Sequence, residues 1–464
     1  MLARKRQEKE DKESAVAQFL AKQLDEVWFD ARNGVHLVRK GEVIVPDKGY
    51  LKALEYPLSQ LIRTRKEIRQ CINELDAQIK HERSVQYHGP VAGQKAGAWL
   101  ECSGSKWLVT SSPKYIEPVK GDWPNLRRLI ETLLPEDIAQ DALYSWCKTQ
   151  YQAIQTGRHS QCPILIFAGD TGDGKTLLLS LITALRGGRE INPIKAWSGE
   201  GPAWSDHLLG SECLNIDDSV ALKNYQARQN LATKVKEAIF ANSVTIDKRN
   251  NTSFTINPRP AWGVAMAVNA NSDSIKTVPA LDGADMADKA VVLRTHRAEI
   301  LYREEGDHAV EKRYKAYADE LAAFADWLLN RWSQPDSLPS GCVVGRSGTL
   351  VYRDPEALTE LHRATPAGLF EEVIRELCER SFIKQNILAD ELASLERPIS
   401  TATILNLART FFERDRRIPE AVQTAGKFLS QIAARPDACI EEAGKNRNHS
   451  KLWRFKPEAL NPDS

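Results

Sequence analysis

The stretch Gly169-Asp170-Thr171-Gly172-Asp173-Gly174-Lys175-Thr176 constrains this chain more than any other. It reads GxxxxGKT, and it lies between a short apolar run, ILIFA at 164–168, and the helix-forming LLLSLITAL. Strand, glycine loop, helix is the context such a loop needs. Its glycines let successive backbone N–H groups curl around phosphates, and the helix N-terminus adds positive dipole. The pattern predicts a P-loop that binds a nucleoside triphosphate, ATP foremost. Gly169, Asp170, Thr171, Gly172, Asp173 and Gly174 form the cradle. Lys175 is expected on the β- and γ-phosphates and Thr176 on Mg²⁺.

A P-loop needs an acidic partner for its metal. About forty residues after Thr176, Cys213-Leu214-Asn215-Ile216 runs into Asp217-Asp218, a short apolar strand ending in two carboxylates. Asp217 is expected to hold Mg²⁺ and Asp218 to orient or deprotonate the attacking water. A further apolar run, WGVAMAV at 262–268, ends at Asn269, with Asn271 just beyond. An amide at that strand tip suits the γ-phosphate or its attacking water. Between the two strands, residues 244–256 read as a hairpin with Lys248 and Arg249 near its tip, placed to grip nucleic-acid phosphates.

These elements, GDTGDGKT, LNIDD, TIDKRNN and AMAVN in this order, resemble the superfamily-three helicases. They look most like the ATPase module of phage- and plasmid-type primase–helicases. Gly187-Gly188-Arg189, the run from Pro279 to Asp288-Lys289, and more loosely HGPVAG and WLVTSSP, also fit that likeness. The resemblance implies an AAA+-like core and a homo-oligomeric ring in which a basic residue of the neighbouring subunit completes each ATP site. Lys289, Arg294 and Arg297 are the candidates, with Arg294 favoured because a guanidinium suits a transferring phosphoryl group. No primase motif is evident, which implies a helicase half with a separate primase or polymerase as partner. The implied activity is ATP-dependent translocation on single- or double-stranded DNA. The alternative is a non-helicase ATPase that remodels protein or DNA as a switch, for example in phage defence.

The rest of the chain frames this core. Its 464 residues predict an α/β protein of several domains. Residues 1–83 read as a hairpin, turning at Asn33-Gly34, with amphipathic helices that include one long helix over 58–82. Residues 84–160 read as a small α/β and helical region, 161–333 as the ATPase core and 334–354 as a linker. Residues 355–464 read as a mostly helical, winged-helix-like domain. There, Ala402–Phe412 and Glu420–Ala433 pattern as helices ahead of a basic hairpin. The segment 444–456 has five Lys and Arg residues and no acid, so Lys445, Arg447 and Lys451 are expected on DNA. A net charge of +1 gives no global pull on nucleic acid, which confines DNA contact to local patches. Eight scattered cysteines without a CxxC pair, no apolar run of membrane-spanning length and a charged N-terminus predict a cytoplasmic protein.

Overall fold

The structure is a computed structural model. It describes residues 2–199, 205–216, 225–247, 253–269, 288–339, 341–363, 366–378, 397–413, 415, 417–435, 438–447 and 449–456.

At the centre lies a five-stranded parallel sheet. Across it the strands run Ala290–Arg294, Ile164–Gly169, Gly263–Asn269, Cys213–Ile216 and Glu190–Ile191, which in chain order is 5-1-4-3-2. The near-continuous apolar character of these segments follows from burial on both faces. Side chains alternate accordingly. Leu165, Phe167, Ala265, Val291 and Leu293 share one core cluster with the helices Pro124–Leu133, Asp137–Thr156, Lys175–Leu185 and Leu321–Asn330. Ile164, Ile166, Ala168, Val264, Met266 and Val292 face the other way. They meet the helix Tyr225–Phe240 and a second sheet.

That second sheet joins segments far apart in the chain. Its order is Thr245–Ile246, Phe254–Asn257, Trp99–Cys102, Ser105–Val109 and Tyr87–Gly89. The hairpin read from residues 244–256 is present, and it continues directly into the small region ahead of the core. Lys248 and Arg249 themselves lie outside the described residues.

The N-terminal hairpin forms with Val27 opposite Val38, turning through Gly34 at φ +64°. A third strand, Val43–Asp47, extends it, and Ser84–Val85 pairs in parallel with its first strand. The helix expected over 58–82 is instead two, Glu55–Leu61 and Arg65–Glu82. Ile62 is extended, and the Thr64 side chain accepts from the Glu67 backbone N–H, so a new N-cap starts the second helix there.

The expected linker also differs. Leu350 and Val351 are buried, and the Val292 N–H donates to Tyr352 O at 2.9 Å while the Asp354 N–H donates to Val292 O at 2.9 Å. Residues 350–354 therefore dock on the edge strand of the central sheet. Asp354 caps the following helix, Pro355–Arg363, through the Ala357 N–H at 2.7 Å, and Ala357 packs in the central core. Only beyond this helix does a separate core begin, built on Phe370, Ile374, Leu405, Leu429 and Trp453. Three helices, Pro366–Cys378, Thr401–Phe411 and Val422–Ala433, pack there with an antiparallel sheet of Ile399–Ser400, Lys451–Phe455 and Ile440–Lys445.

Candidate nucleotide site

In parallel sheets, ligands gather at the carboxyl ends of the strands. Gly169, Asn269 and Arg294 all stand at that end. Register sets Asn269 directly beside Gly169, the first residue of the loop. Arg294 pairs with Ala168 on the other side. The strand Cys213–Ile216 stops immediately before Asp217 and Asp218, which lie outside the described residues, as does Asn271.

The loop is tightly built. At Gly169 a Cβ would stand 2.1 Å from Thr295 Oγ1 and 2.6 Å from Asp173 Oδ2, so no side chain fits. Gly174 holds φ +124° as the helix Lys175–Leu185 begins, a conformation that favours glycine. Lys175 is buried and its ammonium is fully engaged. Nζ donates to Asp170 O at 2.7 Å, to Asp173 Oδ1 at 3.0 Å and to Gly169 O at 3.1 Å. Asp173 is buried too. Its Oδ1 also accepts the Lys175 backbone N–H at 3.2 Å, and its Oδ2 accepts the Thr295 hydroxyl. Thr295 N–H in turn donates to Ala168 O at 2.8 Å, and Ala298 N–H to Asp173 O at 2.9 Å. Loop and edge strand are thus stitched together through one carboxylate. Thr176 stays exposed at the mouth.

A cleft of about 480 Å³ opens between the first half of the loop and Arg294, His296, Arg297 and Arg303. Arg294 forms an ion pair with Glu356, and Arg303 donates to Ala298 O at 3.0 Å. Arg294 and Arg297 thus line a cleft beside the P-loop of their own chain. Lys289, at the opposite end of the same strand, lies over the Phe240 ring. Thr295 and Arg303 join the site without a motif of their own. The sequence signal for Thr295 is the run RTHR directly after the apolar AVVL, where a buried strand gives way to polar residues at the sheet's carboxyl edge; Arg303, six residues further on, has none.

The familial GGR stretch has a structural task. Buried Glu212 is paired with Arg189, and it also accepts the Gly93 N–H at 3.0 Å. Arg189 reaches Ser111 O at 3.2 Å as well. HGPVAG and WLVTSSP are thereby fastened to the central sheet.

In the C-terminal unit, Lys445 and Arg447 are exposed on the hairpin. Lys451 pairs with Glu442 at 2.6 Å, and Arg454 with Glu441 at 3.4 Å. The acid-free composition of 444–456 overstates the local positive charge, because the opposite strand supplies two carboxylates.

No protein-family model and no curated protein matches this sequence. Solved structures do. The apo structure of the NrS-1 C terminal region is similar at TM-score 0.51 and 14% identity, covering 92% of this chain and 95% of that one. A second form of that region gives TM-score 0.50 at 12% identity over the same shares. A structure of the SCCmec type IV Cch active helicase reaches only TM-score 0.35 at 10% identity, covering 93% of this chain and 92% of that one. At these identities the likeness is one of fold: this chain is a mixed α/β protein with the architecture of the NrS-1 C terminal region.

Proposed function

We propose that this protein is an ATP-dependent DNA helicase or translocase of the superfamily-three type, with an AAA+-like core and a winged-helix-like C-terminal domain. The observation that carries the reading is the strand order. The strand ending in Asn269 is inserted between the P-loop strand and the strand leading to Asp217-Asp218. That order supports one site in which the loop, a polar strand tip and two carboxylates act together.

The residues fit the ligands the reading requires. The arginine-lined cleft beside the loop matches polyanion charge, and the helix Lys175–Leu185 begins at the loop's end. Lys175 would exchange the Gly169 and Asp170 carbonyls for β- and γ-phosphate oxygens. Thr176 and Asp217 would hold Mg²⁺, which supplies charge neutralisation on the phosphates when bound. Asp218 would orient the attacking water, and Asn269 would bond the γ-phosphate or that water. Arg294 and Arg297, on the cis side of the cleft, would stabilise charge on the same chain's nucleotide. In the homo-oligomeric ring we propose, another cation would serve across the subunit boundary. Lys248 and Arg249 would contact a threaded strand, and Lys445, Arg447 and Lys451 would hold DNA through the C-terminal hairpin. A separate primase or polymerase would complete the replication role.

The test is ATP hydrolysis with and without single-stranded DNA, followed by strand displacement on a forked duplex. Stimulated hydrolysis with unwinding is the expected result. Hydrolysis indifferent to DNA, with no displacement, would move the protein to the class of ATP-driven remodelling switches.

A further inference from the structure

The strand that leads to Asp217 is held unequally on its two flanks. On one it pairs along its whole length, from Cys213 with Gly263 to Ile216 with Met266. On the other, among the described residues, the ladder with Glu190–Ile191 reaches only Cys213 and Leu214, and the chain then turns into the helix Ile194–Ser198. Asn215 and Ile216 stand beyond the end of that ladder.

Asn215 also breaks the apolar pattern that a strand of a covered parallel sheet is expected to keep. Its side chain replaces the missing ladder. Nδ2 donates to Glu190 Oε2 at 2.7 Å and to Thr183 Oγ1 at 2.9 Å, and the Thr183 hydroxyl donates to the same Glu190 oxygen at 3.2 Å. Each member of this triad comes from a different element: the strand before the acidic pair, its short neighbour and the P-loop helix. Thr183 follows Thr176 by seven residues, about two helical turns, and Thr176, Thr183 and Glu190 line one cleft of about 820 Å³. Asp217 in turn follows Asn215 by two residues. The triad thus ties together the helix and the strand that the P-loop reading asks to hold Mg²⁺ between them.

We infer that Asn215, Thr183 and Glu190 are positioning residues that fix the acidic strand against the P-loop helix, and so set the spacing at which Thr176 and Asp217 share Mg²⁺. The inference rests on the P-loop reading above. The bonds that stitch Gly169, Asp170, Asp173, Lys175 and Thr295 together share no member with the triad. Breaking the triad releases the strand end from the helix and leaves the phosphate loop intact.

The test separates metal from phosphates. ATP binding is measured by titration calorimetry with Mg²⁺ and with EDTA. In Asn215→Leu, affinity with Mg²⁺ should fall by about fivefold, while affinity in EDTA stays within about twofold. The Mg²⁺ concentration that gives half-maximal hydrolysis should rise by a similar factor. Thr183→Val should act in the same direction, and Thr183→Ser, which keeps the hydroxyl, should behave as wild type. Should Asn215→Leu fail to fold, Glu190→Ala breaks the triad at an exposed position and should shift the Mg²⁺ dependence the same way. Ile182→Ala is the control for lost stability, since that side chain packs in the cluster with Leu165 and Phe167 and not in the triad; its Mg²⁺ dependence should match wild type. Unchanged Mg²⁺ dependence in the triad variants, equal losses with Mg²⁺ and with EDTA, or the same shift in Ile182→Ala would overturn the inference. A wild-type protein that binds ATP equally with and without Mg²⁺ would overturn it as well. One that binds ATP in neither condition would sink the P-loop reading beneath it.

Discussion

The carboxylate of Asp173 is a rival of the phosphate for Lys175. In the structure it lies 3.0 Å from Nζ, and both side chains are buried. ATP, bound as proposed, would have to take the ammonium from it. A charge-assisted hydrogen bond contributes about 1.5–3 kcal/mol and a neutral one about 0.5–1.5 kcal/mol. Asp173→Asn keeps the charged donor but loses the ionised acceptor, weakening the clip by part of that difference, on the order of 1 kcal/mol. It also removes a negative charge from beside the phosphates. Both effects have the same sign, so ATP should bind about five- to tenfold more tightly by calorimetry. The ligand-free protein should melt lower, since Lys175 loses its counter-charge. Thr295→Val supplies an opposite control. Without the Thr295 hydroxyl on Oδ2, the carboxylate concentrates on Lys175, and ATP binding should weaken; Thr295→Ser should restore it. Equal or weaker ATP binding in Asp173→Asn would refute the competition argument.

Lys175→Ala should abolish hydrolysis, because γ-phosphate charge is left uncompensated during transfer; normal turnover by a preparation free of contaminating ATPase would exclude the assigned site. Neutralising Lys445 and Arg447 should flatten the salt dependence of DNA binding by up to about one log–log unit for each phosphate left without its cation. Lys451→Ala should do less, since Glu442 already holds that ammonium. Acid should also act through His159, whose pKa is pushed down to about 4 by burial, with Arg259 nearby adding to the effect. The unfolded chain, titrating near 6.5, then binds the extra proton first. Stability from this group is whole above pH 6.5 and falls as pH drops toward 4, with a ceiling of about 3 kcal/mol. Melting curves of His159→Gln should show a shallower decline over that window.

The nucleotide loop is legible in the sequence because its chemistry is local: one octapeptide supplies the glycines, the ammonium and the hydroxyl. Asn269 is legible as a strand tip, and the pairing of Asn269 with Gly169 gives that tip its place beside the loop. What pattern does not reveal is long-range pairing. Residues 334–354 look like a linker because Pro, Ser and Gly dominate its first half. Yet Leu350 and Val351 complete the central core, and no short-range signal announces an edge strand waiting at Val292. Arg294 is legible as a basic residue following an apolar run, but sequence gives its distance along the chain and not its neighbours in the sheet. The parallel register is what sets it beside Ala168, at the carboxyl end of the P-loop strand. The basic hairpin at 444–456 looks uniformly positive because Glu441 and Glu442 lie just outside the window, and they pair across the strands.

The second sheet changes how the N-terminal region relates to the ATPase core. Thr245–Ile246 and Phe254–Asn257 form the base of a hairpin, and Ile256 pairs with Cys102. On its other flank, Ser205 N–H donates to Asp247 O at 2.7 Å, and Ser253 Oγ to Asp247 Oδ1 at 2.6 Å. Tyr87, Trp107 and Phe254 stack across the same sheet, with ring centroids 5.4–5.9 Å apart. Arg189, directly ahead of the strand Glu190–Ile191, then fastens this sheet's neighbours to Glu212, one residue before the strand that leads to Asp217. A displacement of the hairpin base would have to shear a stacked aromatic row or carry residues 87–109 with it. Shearing breaks ladder hydrogen bonds and ring contacts together, whereas carrying the sheet preserves both. Carrying the sheet would in turn open the cluster in which Trp107, Phe254 and Ile256 pack with Ile166, Val264 and Met266 of the central sheet, so the hairpin base, residues 87–109 and the central sheet hold together as one packed body. The region ahead of the core is then built into the central unit rather than a separate module.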